Sequence, residues 1–120
     1  TIKDNFNVTT KNWIIAGTSN GGLATFNFIS EEPALFQGGI VIPGVIRDSV
    51  EVNNSWKDLT IILAYGDKDS DDWIKGAEKT KNTLSKYVKN VQTVILKGQG
   101  HILPIDFDID IVYKKYFEHN

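Results

Sequence analysis

The chain has 120 residues, which is enough for one folded domain and short for an enzyme. Hydrophobic residues make up 41% and charged residues 23% of it, a composition typical of a globular protein, and the net charge of -2 leaves no basic footprint for nucleic acid. No apolar run approaches the roughly 20 residues of a membrane span, and the absence of cysteine, with only two histidines, argues against a disulfide framework and a typical zinc site.

The first predicted element is a buried strand over residues 13–16, and the second is a helix from Asn20 to about Ile29. Residues 17–22 lie between them and read Gly-Thr-Ser-Asn-Gly-Gly, which matches the pattern G-x-S-x-G. A strand, this turn and a helix in immediate succession are the context in which a serine hydroxyl is lifted to the top of a sheet. Ser19 is therefore a candidate nucleophile, although a serine here can also be a plain turn or helix-cap residue.

A serine in such a turn has a strained backbone, so small neighbours are needed around it. Gly17, Gly21 and Gly22 are expected to supply them. The backbone N–H of Asn20, at the start of the predicted helix, is the expected donor to a developing oxyanion.

The rest of the chain alternates strand and helix, which predicts a parallel α/β sheet. Strands are predicted at residues 39–42, 59–65 and 91–96, with a polar loop at 45–58 and a helix over about 72–88. Residues 105–111 alternate like a strand, but the apolar residues from Ile109 to Phe117 share one helical face. We favour a helix from about Asp108, because a parallel sheet needs helical cover on both faces. The prediction is one α/β domain over residues 1–120, with about four parallel strands and flanking helices.

Polar residues follow three of the predicted strands: Ser19 after the first, an acidic run at 67–72 after the third, and His101 after the fourth. Ligands of open α/β sheets bind beyond the carboxyl ends of the strands, so these residues are expected to converge. A serine hydroxyl is a weak nucleophile until an imidazole removes its proton, and a carboxylate fixes the imidazole tautomer. The order serine, acid, histidine therefore predicts acyl transfer.

The acidic run offers more than one candidate for the carboxylate. Asp71 and Asp72 suit the start of a helix, where the helix dipole favours negative charge. Asp69 is the preferred acid, and Asp67 is its rival because alternation along an extended segment would place both on the same side.

Four residues are candidate walls of a substrate pocket, although each is equally compatible with the core: Trp73, Val45, Ile46 and Ile102. The proposed chemistry needs no cofactor and no metal ion.

Three stretches of the chain resemble the carboxyl-terminal half of an α/β-hydrolase, and look most like esterases of the polyhydroxybutyrate-depolymerase and feruloyl-esterase type. They are residues 13–22, the Gly-Asp-Lys-Asp at 66–69 and the Gly-Gln-Gly-His-Ile-Leu-Pro at 98–104. In that family the acid usually lies three residues after the glycine that closes its strand, which implies Asp69. The family histidine is commonly followed by an aromatic residue and a proline, and Leu103 replaces the aromatic residue here.

The resemblance implies a serine carboxylic-ester hydrolase that acts on a small-molecule or polymer-linked ester through an acyl-enzyme. It also implies a larger assembly, because the family fold places four strands before the serine strand, whereas about twelve residues precede it here. The apolar strand 13–16 would otherwise be a sheet edge. It is expected to pair with residues preceding Thr1, a second polypeptide or a symmetry copy, which would also supply the second oxyanion donor.

Two alternatives remain at this point. A non-catalytic flavodoxin-like or anion-binding domain would hold an anion in the turn at residues 17–22, at the N-terminus of the helix. This chain lacks the G-x-x-x-x-G-K-[ST] and G-x-G-x-x-G patterns of such sites. A structural remnant would carry the serine, acid and histidine without activity.

Overall fold

The computed structural model describes residues 13–118 and builds them into strands that alternate with helices. The elements in chain order are β1 (Trp13–Gly17), α1 (Asn20–Glu31), β2 (Phe36–Val41), a short 3₁₀ helix (Asn54–Trp56), β3 (Thr60–Gly66), α2 (Asp71–Ser85), β4 (Asn90–Leu96) and α3 (Asp110–Glu118). Each predicted strand and helix is present, with ends displaced by a few residues.

The four described strands form one sheet in the order β1-β2-β3-β4, and all neighbouring pairs are parallel. Parallel neighbours cannot be joined by a tight hairpin, and α1 and α2 occupy two of the crossovers between them. Every strand therefore ends at the same edge of the sheet. The prediction of a four-stranded parallel α/β sheet is confirmed.

The sheet is covered on both faces, as the composition of β3 requires. All of β3 is buried, and its side chains alternate between two apolar clusters. Ile61 and Leu63 belong to the cluster that includes residues of α1 and α2, while Ile62 and Ala64 belong to the one that includes residues of α3. The ambiguous carboxyl-terminal segment is therefore the helix that covers the second face.

β2 begins at Phe36 rather than at the predicted Gly39. The glycine pair in Phe-Gln-Gly-Gly is typical of a loop, because glycine is depleted in strands. In the structure Gly38 and Gly39 are in register with Thr60 and Ile61 of β3, so ladder pairing on both sides overrides the local preference.

β1 and β4 are the two edges of the sheet formed by residues 13–118. β1 is in contact with β2 on one side and is only partly buried, with Trp13 40% exposed. Within the described residues, no helix has both the length and the apolar character that crossing a membrane would take.

Candidate active site

The backbone of Ser19 marks the turn between β1 and α1. Its φ of 54° and ψ of -117° make it the one described non-glycine residue with a positive φ. A conformation of this kind costs about 1–3 kcal/mol and persists only when the surrounding structure holds it. Here the Ser19 N–H donates to the Pro43 carbonyl at 2.9 Å, and the Ser19 carbonyl accepts from the Gly22 N–H at 2.9 Å.

Close packing of the backbone explains why two of the three glycines near Ser19 have no side chain. A Cβ on Gly17 would lie 2.2 Å from the Gly21 carbonyl oxygen, and one on Gly22 would lie 2.5 Å from that of Pro43. A Cβ on Gly21 would meet nothing within 4 Å. The expectation that all three must be small is therefore corrected: Gly21 is exposed, and the space beside it is open.

The Ser19 hydroxyl is not used to cap α1. It lies 2.7 Å from Nε2 of His101, and Nδ1 of His101 lies 2.9 Å from Oδ2 of Asp69. An ionised carboxylate can only accept, so the Asp69 contact places the imidazole proton on Nδ1. Nε2 is then an acceptor, and the Ser19 hydroxyl donates to it. The structure thus joins the three predicted residues in one line of hydrogen bonds.

Asp69 is held in a fixed orientation inside the protein. Its side chain is 2% exposed, and its other oxygen accepts a hydrogen bond from the Ser70 N–H at 2.7 Å. A carboxylate anchored at both oxygens has little freedom to leave the imidazole. The His101 side chain is more accessible, at 31% exposed, so a substrate can reach the ring that Asp69 orients.

The rival carboxylate, Asp67, points elsewhere. It is exposed and accepts a hydrogen bond from the Gly98 N–H at 2.8 Å. The two aspartates were expected on one side of an extended segment, but the Asp69 N–H donates to the Gly66 carbonyl at 3.2 Å, so the chain turns between them. The expectation of alternation is wrong. Asp71 lies in the first turn of α2, as predicted.

The loops that carry Asp69 and His101 are fastened to each other. The Lys68 N–H donates to the Gln99 carbonyl at 2.9 Å, and the Asp67 contact with Gly98 bridges the same two loops. Residues far apart in the chain are thereby positioned by local backbone hydrogen bonds at one edge of the sheet.

A cavity of about 420 Å³ opens beside Ser19 and His101. Its other lining residues are Thr18, Ile42, Ile102 and Leu103, and among the described residues no lysine, arginine or carboxylate lines it. The wall is mainly aliphatic, which suits an uncharged group better than an ion.

The four predicted wall residues lie in different places. Ile102 lines the cavity and is 86% exposed, while Trp73 packs against the His101 ring, with centroids 4.7 Å apart. Val45 and Ile46 lie in a separate hollow beside α2, where the Ile46 N–H donates to the Thr80 hydroxyl at 3.0 Å.

Three further residues line the cavity, and the sequence had not predicted any of them as a wall: Thr18, Ile42 and Leu103. Thr18 and Ile42 directly follow β1 and β2, and Leu103 lies two residues after His101. The rule that ligands bind beyond the carboxyl ends of parallel strands was a usable signal for them.

Asn20 begins α1 directly after Ser19. Its N–H belongs to the first turn, whose donors have no acceptor within the helix, and it lies at the positive end of the helix dipole. No cluster of three His, Asp or Glu side chains suited to a metal ion occurs among residues 13–118.

The fold is similar to that of solved esterase and hydrolase structures. A carboxylesterase from Bacillus cereus matches with a TM-score of 0.76 at 16% identity, covering 98% of this chain and 55% of the esterase. A PHB depolymerase in complex with an R3HB trimer matches with a TM-score of 0.68 at 16% identity, covering 85% and 43%. For acyl-protein thioesterase 2 from Zea mays the TM-score is 0.64 at 14% identity, with 86% and 54% covered.

The chain spans about half the length of these structures. No protein-family model matches its sequence, and no curated protein matches it significantly. As the sequence resemblance implied, the chain has the α/β-hydrolase fold and corresponds to the carboxyl-terminal half of it.

Proposed function

We propose that this chain is the triad-bearing half of a serine carboxylic-ester hydrolase, with Ser19 as nucleophile, His101 as general base and acid, and Asp69 as the orienting acid. The observation that carries the proposal is the line of hydrogen bonds from Ser19 through His101 to Asp69, beside an open cavity. The strained backbone at Ser19 supports it, because strain of this kind is typical of a nucleophile elbow.

In the first half of the reaction, Ser19 Oγ attacks the ester carbonyl carbon while its proton passes to Nε2 of His101. The tetrahedral intermediate collapses when the ester C–O bond breaks, and the leaving alcohol takes the proton from Nε2. Asp69 accepts the Nδ1–H throughout and stabilises the imidazolium. Water then attacks the acyl-enzyme with His101 as base, and the acid is released from Ser19.

The Asn20 N–H is proposed as one oxyanion donor. A second donor normally comes from a loop outside the part of the fold that this chain represents. Losing one donor costs about 10²–10³ in rate, so the isolated chain is expected to be slow. We therefore propose that the chain acts within a larger hydrolase, in which another strand pairs with the outer side of β1.

The open edge of β1 supports that assembly, because within residues 13–118 its only strand neighbour is β2. Analytical ultracentrifugation of the chain, with ester hydrolysis measured on the same sample, tests this. Association, or a large gain in rate on adding the complementary half, is expected. A stable monomer with the full rate of a complete esterase would contradict it.

The aliphatic lining formed by Ile42, Ile102 and Leu103 favours a neutral ester of small-molecule or polymer-linked type. We expect uncharged acyl groups to be preferred over acyl groups that carry a carboxylate, since no lysine or arginine among residues 13–118 lines the cavity to pair with one.

Reaction with a fluorophosphonate probe tests the proposed nucleophile. The modified peptide should contain Ser19, and Ser19→Ala and His101→Ala should each abolish the labelling. Ser30→Ala is the matched control, because this serine lies at the far end of α1, where its hydroxyl donates to the Asn27 carbonyl. A folded chain that binds inorganic phosphate but is not labelled would favour an anion-binding domain. A folded chain that does neither would favour an inactive remnant.

A further inference from the structure

Trp73 lies against the imidazole of His101, and the mechanism above gives it no role. The two ring centroids are 4.7 Å apart, and the planes are inclined at 43°. This separation lies within the range of favourable aromatic contacts and of cation–π contacts. The contact is made by the first turn of α2, directly after the loop that carries Asp69.

Burial in the core does not account for this tryptophan. Trp73 is half-buried, and it belongs to neither of the two apolar clusters of the described residues. The ring of Trp73 is thus exposed to solvent on part of its surface while packing on a residue of the proposed active site.

Hydrogen bonding alone leaves the imidazole one degree of freedom. Ser19 and Asp69 hold the ring at Nε2 and Nδ1, which are edge atoms, so the ring can still rock about the line that joins them. A ring packed beside the imidazole, as Trp73 is at a centroid distance of 4.7 Å, resists that motion. Keeping Nε2 aligned with the reacting hydroxyl matters, because small errors in the position of a catalytic group reduce rates strongly.

The same contact also affects the positive charge that His101 carries during the reaction. His101 becomes a cation in the proposed mechanism when it takes the proton of Ser19. The face of an indole is the strongest π partner for a cation among the aromatic side chains. Trp73 therefore favours the charged intermediate over the neutral resting ring.

The local backbone holds Trp73 and Asp69 in a fixed relation. Asp69 accepts from the Ser70 N–H at 2.7 Å, and the Ser70 hydroxyl accepts from the Trp73 N–H at 3.5 Å as the cap of α2. One turn, residues 69–73, thus supplies both the carboxylate that bonds the imidazole and the aromatic ring that packs on it.

We propose that Trp73 is a positioning residue, which fixes the plane of the His101 ring and stabilises its protonated form during acyl transfer. The inference rests on the proposed function. It differs from the expectation that Trp73 is a wall of the substrate pocket, because a pocket wall would act on substrate binding and a positioning residue acts on the rate of the chemical step.

The test compares Trp73→Leu, which keeps bulk without a π face, with Trp73→Phe, which keeps the face. The second-order rate of Ser19 with a small fluorophosphonate should fall about 3- to 30-fold in Trp73→Leu, and Trp73→Phe should recover most of it. For ester hydrolysis the loss should appear in kcat, with KM little changed. Tyr87→Leu is the control, since this exposed aromatic residue lies beyond the far end of α2.

The outcomes separate the two proposals. If the unsubstituted chain is not labelled at Ser19, the proposed function fails. If it is labelled and Trp73→Leu reacts at the same rate, or changes only KM, the positioning role fails. Equal losses in Trp73→Leu and Trp73→Phe would also overturn it.

A measurement on the unsubstituted chain covers the case in which Trp73→Leu does not fold. The ring current of Trp73 should shift the carbon-bound ring protons of His101 in the NMR spectrum away from those of a solvent-exposed histidine. Ring-proton positions equal to those of an exposed histidine would show that the two rings are not packed in solution, and would refute the inference.

Discussion

Adjacent glycines in the turn after Ser19 offer a matched pair of substitutions. Gly22 is buried, and a Cβ there would lie 2.5 Å from the Pro43 oxygen and 2.9 Å from the Gly44 α-carbon. Gly21 is exposed, and a Cβ there would meet nothing within 4 Å. Both belong to the first turn of α1, and neither has a positive φ. Gly21→Ala and Gly22→Ala therefore differ mainly in the clash.

The expected effects follow from two terms. Replacing a helical glycine by alanine stabilises by about 0.5–1 kcal/mol, because the unfolded chain loses freedom, and this gain applies to both variants. Overpacking costs about 1–3 kcal/mol. The atoms in the way at Gly22 are backbone atoms, which cannot rotate aside as a side chain can. Gly21→Ala should therefore be more stable than the unsubstituted chain, and Gly22→Ala should be about 1–3 kcal/mol less stable than Gly21→Ala.

Urea unfolding followed by circular dichroism measures both variants, provided that the slope of the free energy against urea is the same for each. Gly21→Ala should also keep its fluorophosphonate labelling at Ser19, because nothing in the elbow has to move. Equal free energies of unfolding for the two variants would refute the packing argument. A loss of stability in Gly21→Ala would mean that this glycine is required for a reason other than space.

Substitutions along the hydrogen-bonded line separate the proposed roles of its members. Ser19→Ala and His101→Ala should each abolish most ester hydrolysis, and the double variant should be little worse, because residues of a triad act as a unit; additive losses would contradict this. Asp69→Asn should lower kcat by up to about 10⁴-fold, whereas Asp67→Asn should cost far less, and the reverse order in a kinetic assay would exchange their roles. The free energy of unfolding should be about 0.5–2 kcal/mol higher for Ser19→Gly than for Ser19→Ala, since glycine adopts a positive φ without the steric cost of a Cβ. Equal urea midpoints for the two variants would show that the backbone at Ser19 stores no strain.

Local sequence patterns were sufficient to predict the strands and helices and their order along the chain. The apolar runs of β3 and β4, and the glycine Gly66 that ends β3, are properties of neighbouring residues. Parallel strands all end at one edge, so Ser19 and His101 could be assigned to that edge as soon as the strands were assigned. The boundaries were less accurate, as at Phe36, because the pairing of Gly38 and Gly39 depends on strands elsewhere in the chain.

The choice between carboxylates required the tertiary structure. Asp67 and Asp69 have the same chemistry and lie two positions apart, and the extended-segment rule does not separate them. The turn closed by the Asp69 N–H directs one carboxylate to His101 and the other to the Gly98 N–H. That turn depends on the loop after β4, which packs beside the loop after β3 only when the sheet has formed.

The sequence by itself determined the fold class, the four parallel strands and the edge where Ser19 and His101 meet, because strand and helix patterns are short-range. Only the tertiary structure decided which glycines are confined, which wall residues face the cavity, and that Trp73 lies on the His101 ring. Each of these is a contact between segments that are distant in the chain or separated by a turn, and its geometry is fixed by packing rather than by the identity of neighbouring residues.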